Sequence, residues 1–329
     1  MEKFIRYGFN AENIPYYDCK VVNKTLDEWY SEGTVSYPTA LYCLGYGTLI
    51  LITYFIVLRS LWRLKSKIPV YLIMFHLGIY DVLDILVNCI CTGYFYIMGA
   101  SYCTHPNLNY VAGAFGLGIW CSECLCCLIL GSSRVLDFTS TSAHEAVFGG
   151  WKLKVWLVFP VMWGGYLLFF TCPVIFHSSL HAWFFSPMIL KTREEMLMFT
   201  NIPHSVNNLG VVATTCFIYF LLIFVIGHKY GFSQLKQVNH LQRNIVMQCV
   251  LICMVNLVAS LIYVYFNFFP APGWLVYGAQ MLWQFATGIP AMTYIAMNQN
   301  VRSDMKRFIG MKVTAVSSAV ISGQSHPTI

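Results

Sequence analysis

Seven stretches of this chain are long and apolar enough to cross a bilayer, and they restrict its fold more than any other feature. They run over 37–58, 69–98, 109–133, 155–176, 207–227, 244–269 and 274–298, each 21–30 residues long. A helix needs about 20 largely apolar residues to span the hydrocarbon core, whereas a transmembrane strand needs about 9–11 in alternating pattern. No alternation is visible, so the runs are read as helices. Composition agrees, with 57% of the 329 residues hydrophobic and only 10% charged, against about 25% charged in a soluble domain. Soluble enzymes, disordered chains, secreted disulfide scaffolds and nucleic-acid binders are thereby excluded, and lipid is the expected surroundings. Gly78, Gly93 and two aspartates interrupt the second run, which predicts tilt or a local kink there.

The basic residues orient the bundle, because Lys and Arg accumulate in cytoplasmic loops. Every one of the 20 lies outside the seven runs. Fourteen fall on one side: Arg59, Arg63, Lys65 and Lys67; Arg134, Lys152 and Lys154; Lys229, Lys236 and Arg243; Arg302, Lys306, Arg307 and Lys312. The other side carries six, namely Lys3, Arg6, Lys20, Lys24, Lys191 and Arg193. The expected arrangement is a single seven-helix domain over 37–298, an extracellular N-terminal segment over 1–36 and a cytoplasmic tail over 299–329. The N-terminal segment lacks the charged-then-apolar pattern of a signal peptide, so the first span is expected to direct insertion. Asn23-Lys24-Thr25 is a glycosylation acceptor triplet, usable only on the lumenal face. Within 301–311, Val301, Met305, Phe308 and Ile309 share one helical face, as suits a short amphipathic helix on the inner leaflet.

Three acidic residues lie inside the runs: Asp81 and Asp84 in the second, Glu123 in the third. An ionisable group at bilayer depth is costly and points to function. At helical rise, Asp81 sits about 18 Å and Glu123 about 16 Å from the cytoplasmic side, so the carboxyls share a depth. Like charges at that separation share a proton, bind a cation or face water. The plainer alternative is that protonated carboxyls hydrogen-bond across helices.

Thirteen cysteines are present, four of them crowded at Cys121, Cys124, Cys126 and Cys127. Zinc would need further ligands, and His76 is the only histidine inside a run. Packing is the expected role, with no metal and no cofactor. Outside the runs, Cys19 and Cys103 are the natural disulfide pair on an oxidising face, with Cys172 the alternative partner. Enzyme readings fail on missing groups. There is no lysine in a span for a retinal Schiff base, no second span with an aspartate to match Tyr80-Asp81, and no catalytic triad. A proton- or ion-coupled transporter using Asp81, Asp84 and Glu123 remains the alternative to a receptor, although paired halves are absent.

Finer motifs resemble one family. Tyr17-Asp18-Cys19 followed by Trp29, His76-Leu77-Gly78-Ile79-Tyr80-Asp81 and Tyr102-Cys103-Thr104-His105-Pro106 resemble the nematode serpentine receptor class T chemoreceptors. So do Trp183-Phe184-Phe185-Ser186-Pro187 and Asn201-Ile202-Pro203-His204-Ser205-Val206-Asn207-Asn208. Trp283-Gln284, Gly288-Ile289-Pro290-Ala291, Tyr294 and 298–302 complete the likeness, which follows nearly the whole chain in order.

The resemblance implies a rhodopsin-like, plasma-membrane G-protein-coupled receptor that binds a small molecule and signals through a heterotrimeric G protein. Sensory cilia are the site that the family suggests. Arg134 matches the arginine that gates the G-protein cavity, but Ser133-Arg134-Val135 lacks the usual acidic neighbour. Pro290 and Tyr294 match the span-seven switch, one residue further apart than usual. Asp81 matches the span-two carboxyl that holds sodium in rhodopsin-like receptors. Candidate pocket residues, from the outer ends of the spans, are Tyr94, Trp120, Asn207, Asn256, Tyr277, Gln280, Trp283 and Gln284.

Overall fold

The computed structural model describes residues 1–66, 68–230, 240–269, 271–308 and 310. Expectations placed on Lys67, Lys236, Ile309, Met311 and Lys312 lie outside the described residues. Two short helices, α1 (Glu2–Arg6) and α2 (Leu26–Ser31), precede the bundle. The bundle then runs through α3 (Tyr37–Leu64), α4 (Val70–Ile85), a π turn over Leu86–Cys91, α5 (Thr92–Met98) and α6 (Pro106–Thr139). Short α7 (Thr141–Phe148) and α8 (Trp151–Trp156) lead into α9 (Val158–Phe170). A hairpin of β1 (Ile175–His177) and β2 (Ala182–Phe184) and then α10 (Arg193–Met198) precede α11 (Ile202–Tyr230). The chain continues through α12 (His240–Phe268), α13 (Gly273–Met297) and α14 (Gln299–Phe308).

Six helical stretches have the length and hydropathy to cross a membrane, and α13 packs beside them as the seventh. Its polar residues, among them Gln280, Gln284, Thr287 and Thr293, face inward and are buried, which lowers its hydropathy but not its fit to the bundle. Pro106–Thr139 is the central helix, with 78% of its apolar window buried against 28% for Tyr37–Leu64. Leu41, Phe55, Met162, Phe170 and Phe220 stand exposed around the outside. Such a belt is a liability in water and an ordinary surface in lipid.

The interruption expected in the second run is the π turn, which carries α4 into α5 with one residue too many for α-helical pitch. The fourth run departs from expectation. Its helix ends at Phe170, and residues up to 176 turn back as the first strand of the hairpin rather than continuing. Pro173 cannot extend the helix ladder, and Asn109 captures the freed strand. The Asn109 side chain donates to the Phe176 carbonyl (3.0 Å) and accepts from the Phe176 N–H (2.7 Å). At Gly113 an added Cβ would meet the Val174 carbonyl oxygen at 1.5 Å, so only glycine lets the hairpin lie so close to α6.

Around this hairpin the N-terminal segment forms a cap. A disulfide joins Cys19 to Cys103, 84 residues apart, leaving Cys172 free. A reciprocal capping box between Thr25 and Glu28 starts α2. Glu32 pairs with Lys24 and with Lys191 (3.0 Å), linking the cap to the loop before α10. Burial works to raise the Glu32 carboxyl, and the two ammonium groups outweigh it, so it lies below its ordinary value.

At the opposite end α14 is pinned beneath α3. Asp304 accepts from Ser60 (3.0 Å) and pairs with Arg59 (3.2 Å) and Arg63 (3.4 Å), while Phe308 lies under the Arg59 guanidinium. Val301 is fully buried and Met305 packs on the core, whereas Phe308 is exposed beside Arg59, so only part of the expected apolar face turns inward. The described helix starts two residues earlier than expected, at Gln299, because the Asn298 side chain accepts from the Val301 N–H and so caps its first turn.

A buried carboxyl cluster beside an aromatic cavity

The three intramembrane carboxyls converge in the middle of the bundle. Asp81 and Asp84 on α4 and Glu123 on α6 are all fully buried, and none forms an ion pair among the described residues. The helical spacing of Asp81, Asp84 and Asn88 puts all three on the face toward α13. Asn88 donates to Asp84 (2.9 Å) and lies 3.2 Å from the Thr287 hydroxyl. Asn256 of α12 faces Glu123, and Trp283 of α13 faces Asp84. Among the described residues no three His, Cys, Asp or Glu side chains converge as a metal site would require.

Tyr54 limits what protonation pattern this geometry can hold. Its hydroxyl lies 2.5 Å from an Asp81 oxygen and 2.8 Å from the Thr287 carbonyl oxygen. A hydroxyl has one proton, and a carbonyl can only accept. Both contacts are satisfied together when Tyr54 donates to Thr287 and a protonated Asp81 donates to Tyr54. An ionised Asp81 would leave Tyr54 one proton for two acceptors.

On the side of the cluster toward the cap lies a cavity of about 60 Å³, room for a few waters and walled by apolar surface. Trp120, Trp183, Phe185, Tyr263 and Trp283 form its aromatic walls, with His204, Val174, Leu117 and Gly116 completing the lining. The indoles of Trp120 and Trp283 meet edge to face at 6.5 Å. Trp283 therefore belongs to both places, lining the cavity and facing Asp84.

The pocket residues anticipated from the sequence separate on this geometry. Trp120 and Trp283 line the cavity. Tyr94 is exposed, 3.3 Å from His105, and Tyr277 stands edge-on to His181. Asn207 is engaged by the Trp163 indole (2.9 Å), Asn256 donates to the Cys127 sulfur, and Gln284 donates to the Asn88 carbonyl (2.7 Å). Gln280 is buried apart from the cavity lining, its amide unpartnered among the described residues. Those six were chosen for polarity, whereas the cavity is walled mainly by rings and a glycine. His204 also corrects the expectation that His76 is the only histidine in a span, because α11 begins at Ile202. The motifs holding Trp183, Phe185 and His204 were the signal for the missed walls.

At the far end of α6, Arg134 is buried and pairs with Asp137 at 3.0 Å. The acidic partner absent from the preceding position sits three residues later, one helical turn along the same face. Ser133 accepts from Arg134 (3.0 Å) and contacts His144 (3.1 Å), tying the arginine to α7. Pro290 lies inside α13, where its missing N–H leaves the ladder one bond short. Tyr294, one turn on, is fully buried, its hydroxyl unpartnered among the described residues. Asn23 is exposed within the cap.

Comparison with known proteins places this geometry. A family model described as "Serpentine type 7TM GPCR chemoreceptor Srt" matches residues 3–318. "Serpentine receptor class T-55" of Caenorhabditis elegans is 24% identical over 313 residues, covering 94% of this chain and 85% of that protein. Among solved structures, squid rhodopsin superposes with a TM-score of 0.64 at 12% identity, covering 95% of this chain and 96% of its own. That likeness speaks for the fold alone.

Proposed function

Because the chain belongs to the Srt family of serpentine seven-transmembrane chemoreceptors, we propose that a small apolar or aromatic molecule activates it from the Trp120–Trp183–Trp283 cavity. It is a multi-pass G-protein-coupled chemosensory receptor of a receptor family rather than an enzyme family. The transporter alternative gains no support from these relatives. The observation that carries the finer reading is Trp283, whose ring lines the cavity while facing Asp84. A ligand that moves this indole disturbs a carboxyl cluster shared by α3, α4, α6 and α13.

In this reading Asp81, Asp84 and Glu123 rest as neutral acids, which the single Tyr54 proton and the absence of ion pairs favour over a bound sodium. Disturbance of the cluster reaches Tyr294 and Pro290 on α13 and frees Arg134 from Asp137, opening a face for a heterotrimeric G protein. The cap lies outside the plasma membrane and carries a glycan at Asn23; an oxidising exterior suits the Cys19–Cys103 disulfide. Arg59, Arg63, Arg134 and α14 then face the cytoplasm, as their charge favours. Placement in sensory cilia is part of this proposal and is suggested by the family alone.

The test is a G-protein reporter assay of the full chain against a panel of small volatile and aromatic compounds. A responsive ligand should lose its signal in Arg134→Ala with surface expression retained. Its half-maximal concentration should rise at least tenfold in Trp283→Leu. Signalling untouched by Arg134→Ala would remove the coupling role, and unchanged potency in Trp283→Leu would remove the cavity from the mechanism.

A further inference from the structure

A second cavity lies outside the bundle core, at the cap end, where α9 finishes and α11 begins. It measures about 230 Å³ and shares no lining residue with the aromatic cavity. Its inner wall holds Tyr17 and Tyr110, both buried, with Tyr17 packed edge-on against Tyr110 (5.1 Å) and Phe199 (5.0 Å). Its outer wall holds Tyr166, Phe169 and Phe170, all exposed on the outside of the bundle. Helix α1 closes the top with Glu2 and Lys3.

Two features mark this space as a binding site rather than loose packing. The Tyr17 hydroxyl is buried in the wall without a hydrogen-bond partner among the described residues, and the residue is only 3% exposed. A hydroxyl held there unmatched is costly unless something accepts its proton. The charges at the mouth are also unbalanced. Glu2 is committed to Arg6, while Lys3 has no ion pair among the described residues. Nearby Asn201 is already used, donating to the Cys172 carbonyl (3.0 Å) and accepting from the His204 N–H (3.0 Å).

We propose that this lateral cavity binds an acyl chain with an anionic head, the head meeting Lys3 and the Tyr17 hydroxyl and the chain lying against Phe169 and Phe170. The aromatic wall opens to the bilayer, so such a molecule reaches the site by partitioning into lipid and needs no passage through the cap. A free fatty acid and an anionic phospholipid share this chemistry. The site goes beyond the receptor reading above and stands whether or not the aromatic cavity is the activating one.

Cys172 lines the cavity, is free and is half-buried, so its reactivity reports occupancy. The experiment places the full-length chain in neutral phosphatidylcholine nanodiscs and follows alkylation of Cys172 by a water-soluble maleimide with peptide mass mapping. Laurate should slow Cys172 at least fivefold and saturably. Dodecanol, with the same chain and no charge, should protect much less. Lys3→Gln and Tyr17→Phe should each raise the half-protecting laurate concentration about tenfold. Phe170→Ala, an exposed substitution that spares the core, should weaken protection as well. Nanodiscs containing phosphatidylglycerol distinguish the sources: protection without added laurate identifies the phospholipid, and protection by laurate alone identifies the free acid. Equal protection by dodecanol and laurate, no protection by any of the three, or protection indifferent to Lys3→Gln and Phe170→Ala would overturn the proposal.

Discussion

Two buried glutamates show how differently the ends and the middle of this molecule are built. Glu195, at the cap end, accepts from three successive backbone N–H groups, those of Ile189 (2.9 Å), Leu190 (3.0 Å) and Lys191 (2.7 Å). Glu123, in mid-bundle, has neither oxygen in a well-formed hydrogen bond among the described residues, with the Asn256 amide facing it. The first is a charged clamp whose loop is shaped around it, and charge-assisted bonds of that kind are strong. The second occupies a site where satisfaction has been withheld. Polar groups left unmatched in a low dielectric carry high stakes, so the cap reads as architecture and the cluster as a place where state can change.

The difference can be broken or sharpened by four measurements, taken from the largest effect down. Removing the disulfide with Cys19→Ser and Cys103→Ser together should cost about 4 kcal/mol of stability, given the 84-residue separation. Thermal inactivation in nanodiscs reads this, and a loss below 1 kcal/mol would mean that the cap is held by packing alone.

Next comes acid. Burial lowers the His177 imidazole to about 4, helped by Lys191 and opposed by Glu32. Its folded value lies below its unfolded value of about 6.5, so the unfolded chain binds the proton first. The contribution is intact above pH 6.5 and is lost progressively as pH falls toward 4, about 3 kcal/mol in all. Melting scans across that window should show the slope in the wild type and a flatter profile in His177→Phe. An unchanged slope would assign acid sensitivity to other groups.

Third, Glu195→Gln keeps the shape but offers one acceptor oxygen to three N–H groups, and should cost about 2 kcal/mol. Last, with the acids neutral as proposed above, Glu123→Gln and Asp81→Asn exchange one neutral group for another and should each change stability by about 1 kcal/mol or less. Their effect should appear in signalling, as a flattened dependence on pH and no response to sodium. A stability loss in Glu123→Gln equal to that in Glu195→Gln would erase the contrast and show Glu123 to be ionised.

The parts legible in the sequence were those where one physical demand dominates. The spans stand out because a bilayer excludes charge over a fixed length, and for the same reason Asp81, Asp84 and Glu123 stand out as exceptions. Residues 171–176 were misread as helix because hydropathy cannot separate burial in lipid from burial under a cap, and Ile175 and Phe176 are buried by the hairpin and cap. The Arg134 partner is not legible at the adjacent position because a helix brings the third residue alongside. The aromatic cavity is legible only in part, through Trp120 and Trp283. Polar side chains in spans look like ligand anchors, but Asn207, Asn256 and Gln284 hold helices together, while rings spread over α6, α12, α13 and the β1–β2 hairpin enclose the cavity. Nothing in a linear chain marks a void between distant rings.

The π turn at Leu86–Cys91 sets a phase for everything beyond it. One surplus residue turns the remainder of the helix by about 100° relative to an uninterrupted one. Because of that offset, Asp84 before the turn and Asn88 within it address the cluster, while Thr92, just past it, accepts from the Trp183 indole (3.0 Å) and Phe95 stacks on Phe176. Deleting a single residue within 86–91 would leave a longer, more regular helix and an equally apolar span. It would nevertheless swing Thr92 and Phe95 off the hairpin, so this receptor's outer and inner halves are kept in register by an irregularity that a hydropathy plot cannot see.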